Sequence, residues 1–136
     1  MPPTKSRVER YREKVELARE RLEDVEILLG DFDKKFSRLA CYKAFQELVE
    51  SLFDIIAMTL KDLDKTVEDD YTNIYKLELL EKLSRGEAEV LREANGLRNR
   101  VVHRYNRMDD EVARRSMENL LPHLRKILEE LVEKHG

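Results

Sequence analysis

Glycine, proline and cysteine are scarce in this sequence, with four, three and one among 136 residues. So few turn formers exclude a β-sandwich, which needs tight turns at frequent intervals. Val, Ile and Thr do not gather into short alternating runs, so no strand is expected. The single cysteine, Cys41, cannot form a disulfide within one chain, and a reducing interior suits it. No stretch approaches the ~18 apolar residues of a membrane span. The opening Met1-Pro2-Pro3-Thr4-Lys5 lacks the apolar centre of a signal peptide, and the sequence reads as a soluble cytoplasmic protein. One sign of charge does not dominate either. The 26 basic and 29 acidic residues leave a net charge of -3, which argues against a protein that coats long duplexes. Any nucleic-acid binding has to come from local clustering.

What is present is the composition of helices with charged faces: 41% hydrophobic and 40% charged residues. The length suits one domain, residues 1–136, with one continuous core. The expected fold is all-α, a single up-and-down bundle of four to five helices. A first helix is predicted from about Thr4 to Leu29. Its apolar residues Val8, Tyr11, Val15, Ala18, Leu22, Val25 and Leu29 alternate spacings of three and four, and Gly30 can end it in a left-handed conformation. A second helix, roughly Lys35 to Lys65, is apolar over much of its circumference and therefore central. A polar line of Gln46, Glu50 and Asp54 interrupts it. That line reads first as a solvent-facing strip, and in a sharper reading Glu50 or Asp54 reaches a basic cluster.

Val67 to Asn73 reads as a loop, followed by a short helix over Ile74 to Leu83. Ser84-Arg85-Gly86-Glu87 fits a capping box that starts a fourth helix. Leu91, Ala94, Leu97, Val101, Tyr105 and Met108 form the apolar line of that helix. Asp109 or Asp110 can cap a fifth helix to about Glu133, with Ala113, Met117, Leu120, Leu124, Ile127 and Leu131 as its seam. Pro122 inside it predicts a kink near Met117 to Leu121, or a split into two helices.

The basic cluster is the run from Arg98 to Arg107. Arg98, Arg100, Arg104 and Arg107 surround His103, and no carboxylate lies between Arg98 and Met108. Histidine moves a proton near neutral pH, and arginine holds a phosphate with a planar fork of donors. Together they point to chemistry on a phosphodiester, and the expected substrate is RNA. An imidazole would take the 2′-hydroxyl proton, a guanidinium would stabilise the charged phosphorane, and no metal is needed. Asn99 lies four residues before His103 and could orient it. Arg98 and His103 project about 140° apart on one helix, so two copies around a two-fold axis would present a better site than one. Cys41, His103, His123 and His135 show no metal-ligand spacing. A solvated polar face is the plainer alternative for the whole run. In that case the protein is a non-catalytic helical dimer that binds RNA or a partner protein.

Arg98-Asn99-x-x-x-His103-x-Tyr105 near a helix end, in a small all-α chain, resembles the HEPN superfamily. It is most similar to the HepT-like toxin branch, whose pattern is R-x4-H-x-Y. The phrase from Gly96 to Tyr105 and the Gln46, Glu50 and Asp54 line also look like that branch. The resemblance implies a metal-independent ribonuclease toxin without cofactors. It implies a homodimer that brings two copies of the segment together, with Arg98 and His103 catalytic. It implies a partner, an MntA-like nucleotidyltransferase antitoxin that transfers AMP to Tyr105 and silences the site. Asn99, Arg100, Arg104 and Arg107 would support the RNA.

Overall fold

Alternating apolar spacing along the chain is resolved into five helices in the computed structural model, which describes residues 6–103 and 108–135 (side chains as far as 133). They are α1 (Arg7–Leu29), α2 (Lys35–Asp62), α3 (Asp70–Leu79), α4 (Arg85–His103) and α5 (Asp110–His135). Among the described residues there is no strand. The expected bundle is what forms, and cross-helix contacts give its directions. Arg7 meets Asp62, Lys14 meets Asp54 and Arg21 meets Glu47, so α1 and α2 run antiparallel. Tyr11 donates to the Leu131 carbonyl and Arg19 pairs with Glu129, so α5 also runs antiparallel to α1.

Helix α2 is central, as its all-round apolar pattern requires. Thirteen of its twenty-eight residues are buried, among them Phe45, Leu48, Leu52, Ile55 and Ile56. Its two buried aliphatic hydroxyls need no outside partner. Ser51 and Thr59 each donate to the carbonyl four residues earlier, at 2.8 and 2.9 Å. The seam of α1 packs through Val15, Ala18, Leu22 and Val25, while Val8 at its start is exposed.

Several helix ends differ from the sequence expectation. Gly30 ends α1, but in a right-handed conformation with φ -67°. Among the described residues the left-handed ones are Asp64 and Glu81. Each follows a helix end in the same way. The Lys65 amide reaches back to the Leu60 carbonyl and the Lys82 amide to the Leu77 carbonyl, both at 2.9 Å. These two turns stop α2 at Asp62 and α3 at Leu79, short of the expected Lys65 and Leu83. Helix α3 starts four residues before the expected Ile74, because Asp69 caps it by accepting from the Thr72 amide at 2.9 Å. Buried Asn73 then ties the loop down, exchanging two hydrogen bonds with the Glu68 backbone.

The capping box at α4 forms in full. Ser84 Oγ accepts from the Glu87 amide at 3.1 Å, and Glu87 accepts from the Ser84 amide at 2.9 Å. Asp109 is the cap of α5, accepting from the Glu111 and Val112 amides. Helix α5 runs as one element through Pro122, so of the two expected outcomes, a kink or a split, the split does not occur. Leu120, Leu121 and Leu124 are buried on either side of the proline. The hydrogen bond that Pro122 cannot make would have gone to Glu118, and both residues are exposed.

Candidate active site on the last turns of α4

Helix α4 carries its apolar residues Ala88, Leu91, Ala94, Leu97 and Val101 on one buried face. This register turns Asn99, Arg100 and His103 to the surface and leaves Arg98 half-buried at the edge. Arg98 donates through Nη1 to Asn99 Oδ1 at 2.7 Å. The Asn99 carbonyl oxygen thus holds the arginine, a contact the sequence reading did not assign to it. Exposed Val102 lies between Arg98 and His103 in helical projection. Arg104, Tyr105 and Arg107 lie outside the described residues, and so do the expectations placed on them.

A feature the sequence did not announce marks this helix. Among the described residues, three buried side-chain polar atoms have no hydrogen-bond partner: Arg92 Nε, Asn95 Oδ1 and Arg98 Nε. All three lie on α4, three residues apart, in a row that drifts about 60° around the helix at each step. Buried polar groups are nearly always satisfied, and the exceptions gather where a protein does chemistry or binds a ligand. Arg92 is itself anchored, pairing with Glu78 at 2.8 Å and stacking over the Tyr71 ring at 5.5 Å. Composition and spacing cannot reveal which polar atoms a fold leaves unpaired.

The polar line on α2 is divided. Gln46 donates to Glu50 at 2.7 Å, and Asp54 pairs with Lys14 at 2.8 Å. Among the described residues neither carboxylate is within ion-pair distance of Arg98, and Arg104 and Arg107 of the basic cluster lie outside the described residues. Glu50 and Asp54 still shape the local field. Asp70 in the first turn of α3 has its carboxyl pushed above the ordinary range, mainly by burial. Arg98 pulls the other way, and Asp54, Asp69 and Glu50 add to the rise. Arg98 thus belongs to an acidic neighbourhood drawn from α2 and α3, without a carboxylate closed onto it.

The other end of the site is fixed through α5. Asp110 is gripped by the Tyr42 hydroxyl and by Arg38 Nε, the latter at 3.4 Å. Burial and the Asp110 carboxylate hold the Tyr42 hydroxyl protonated well above the usual tyrosine range. Phe32 packs edge-on against the Tyr42 ring at 5.6 Å. This clamp ties the chain just beyond the arginine-rich run to the first turns of α2.

A small all-helical bundle with an arginine–histidine segment at the end of its fourth helix is a HEPN-type architecture. Its fold matches the solved structure of the tri-AMPylated Shewanella oneidensis HEPN toxin in complex with MNT antitoxin. The TM-score is 0.83 at 15% identity, covering 90% of this chain and 96% of that one. Residues 11–131 match the family described as Ribonuclease HepT-like. The chain belongs to the HepT-like ribonuclease family. A candidate RNase of Archaeoglobus fulgidus is 38% identical over 134 residues, 94% of this chain and 97% of that protein. A second from the same organism is 51% identical over 74 residues, and the match spans 53% of this chain and about half, 54%, of that relative. Among the described residues, no helix is long and apolar enough to cross a membrane.

Proposed function

We propose that this protein is a metal-independent RNA endonuclease of a toxin–antitoxin pair, working as a homodimer. His103 takes the proton of a ribose 2′-hydroxyl, and the freed oxygen attacks the adjacent phosphorus. Arg98 stabilises the negative charge that builds on the non-bridging oxygens. The bond from phosphorus to the 5′-oxygen breaks, and that oxygen takes its proton from the second His103. The products are a 2′,3′-cyclic phosphate and a 5′-hydroxyl.

The observation that carries the proposal is the state of Arg98. It is half-buried, held by an amide oxygen, left with an unpaired buried Nε and joined to no carboxylate in the described residues. A guanidinium so placed is oriented yet not neutralised. The dimer is supported by the divergence of Arg98 and His103 and by exposed Val102 between them, an apolar side chain on which a second copy would rest. Arg100, Arg104 and Arg107 add cations for the RNA backbone.

A partner nucleotidyltransferase of the MntA type would transfer AMP to the Tyr105 hydroxyl. Each added phosphate brings negative charge beside the cleft and repels the substrate. This part rests on the family and on the antitoxin complex of the structural relative.

The test is cleavage of labelled RNA in the presence of a chelator. Wild type should cut and leave cyclic phosphate ends, while His103→Ala and Arg98→Ala should each lose at least about 100-fold in rate with the dimer intact. Undiminished cleavage by either variant would overturn the assignment. Purification with the partner should add AMP mass to the peptide carrying Tyr105, and an unmodified peptide from an inactive complex would overturn the switch.

A further inference from the structure

A second carboxylate-free run lies outside the site just described. From Lys34 to Gln46 the chain carries Lys34, Lys35, Arg38 and Lys43 and no Asp or Glu. Two of these cations serve the fold: Lys34 pairs with Asp31 at 3.2 Å and Arg38 with Asp110 at 3.4 Å. Lys35 and Lys43 are exposed, and among the described residues no carboxylate lies within ion-pair distance of either. Between them sits Phe36, 81% exposed, the most exposed large apolar side chain of the described residues.

Phe36 and Lys43 are seven residues apart and so stand on one line of α2, two turns or roughly 10 Å long. The same stripe turns acidic only further along, at Glu47, Glu50 and Asp54. The Tyr42 and Arg38 clamp on Asp110 sets this basic, aromatic half of the stripe at the end of the bundle where α4 finishes and α5 begins. It therefore lies at the same end of the bundle as Asn99, Arg100 and His103, on a face of α2 turned about 100–160° from the clamp residues.

We infer that the first two turns of α2 bind the single-stranded RNA flanking the scissile linkage, with a base stacked on Phe36 and phosphates against Lys35 and Lys43. The chemistry fits that ligand. An unfolded strand offers bases free to stack on an aromatic ring and a backbone charge to meet the lysines, whereas a duplex hides its bases. An exposed phenylalanine bounded by unpaired lysines is poor surface for water and good surface for such a strand. The inference rests on the ribonuclease reading and extends its substrate contact to a second helix.

The experiment measures anisotropy of a fluorescein-labelled single-stranded RNA of about 16 nucleotides, with full-length His103→Ala protein so that the probe stays whole. Adding Phe36→Ala should weaken binding about tenfold, the loss typical of one base–aromatic stack. Adding Lys43→Gln should lower the slope of log affinity against log salt by about 0.7, one phosphate contact on a single strand. Thermal stability and the dimer mass in light scattering should not change, since both side chains are exposed. In the cleaving protein, Phe36→Ala should raise KM for long RNA and leave kcat unchanged. Equal affinity for the parent and both variants would overturn the inference while wild-type cleavage left the ribonuclease reading standing. Loss of the dimer in Phe36→Ala would also overturn it, by assigning the patch to a second copy. Wild type that neither binds nor cuts RNA would remove the ribonuclease reading and this extension together.

Discussion

The outer face of α1 and the end of α4 are both rich in cations, yet the fold treats them in opposite ways. On α1, Arg7, Lys14 and Arg21 each meet a carboxylate of α2, at Asp62, Asp54 and Glu47. Toward α5, Arg19 meets Glu129 and Glu26 meets Arg125. At the end of α4, Arg98 finds an amide oxygen instead, and no carboxylate pairs with exposed Arg100 among the described residues. A count of arginines would not separate these regions. What separates them is whether the neighbouring helix answers each cation. An answered cation orients helices and is largely screened from a ligand, whereas an unanswered one remains available to a phosphate.

The comparison is sharpened most by a substitution that keeps charge and changes shape. Arg98→Lys retains the cation but loses the planar fork and the fixed bond to Asn99. Single-turnover cleavage should fall about 100-fold. The matched Arg21→Lys on the paired face should leave cleavage at the wild-type rate. Equal losses in the two variants would mean that the regions do not differ in kind. A smaller effect is expected from removing one cation on each side. Arg100→Gln should weaken RNA binding severalfold and lower the salt slope by about 0.7, with the melting temperature unchanged. Arg19→Gln should do the reverse, leaving RNA affinity alone and costing less than about 1 kcal/mol of stability by denaturant titration.

How much of this was legible in the sequence depends on the range of the interaction involved. The seam Val15, Ala18, Leu22 and Val25 and the Ser84–Glu87 capping box are local patterns, and both stand as the spacing requires. The ends of α2 and α3 were missed because the left-handed residues there are Asp64 and Glu81, not the glycine that usually marks such a turn. The early start of α3 was missed because Asp69 caps from within a stretch that reads as loop. Pro122 left a kink or a split open for a tertiary reason: buried leucines on both sides hold α5 as one helix across the lost hydrogen bond, which the local pattern does not show. At the site, Arg98 and His103 were legible as a motif and their divergence as helix geometry. The unpaired atoms of Arg92, Asn95 and Arg98 were not, since they depend on what α2 and α3 fail to offer.

Asp70 offers the finest test of the contrast, because it is the carboxylate on α3 placed to answer Arg98. Its pKa is raised, with burial the main cause; Arg98 is the largest opposing influence, and Asp54, Asp69 and Glu50 add to the rise. A carboxyl that binds its proton more tightly in the folded state contributes stability that is complete below the unfolded pKa of about 3.9 and is lost as pH climbs through its raised value. At neutral pH the ionised form therefore weighs against the fold. Asp70→Asn keeps a neutral side chain at every pH, so its melting temperature should lie slightly above wild type at pH 7. That margin should vanish at about pH 3, where wild-type Asp70 is itself protonated. Cleavage at pH 7 should fall no more than severalfold, because Asn99 still holds Arg98. A melting temperature below wild type at pH 7 would show that Asp70 and Arg98 form a stabilising pair. The end of α4 would then belong with the answered cations of α1, and the distinction between the two regions would fail at its most important residue.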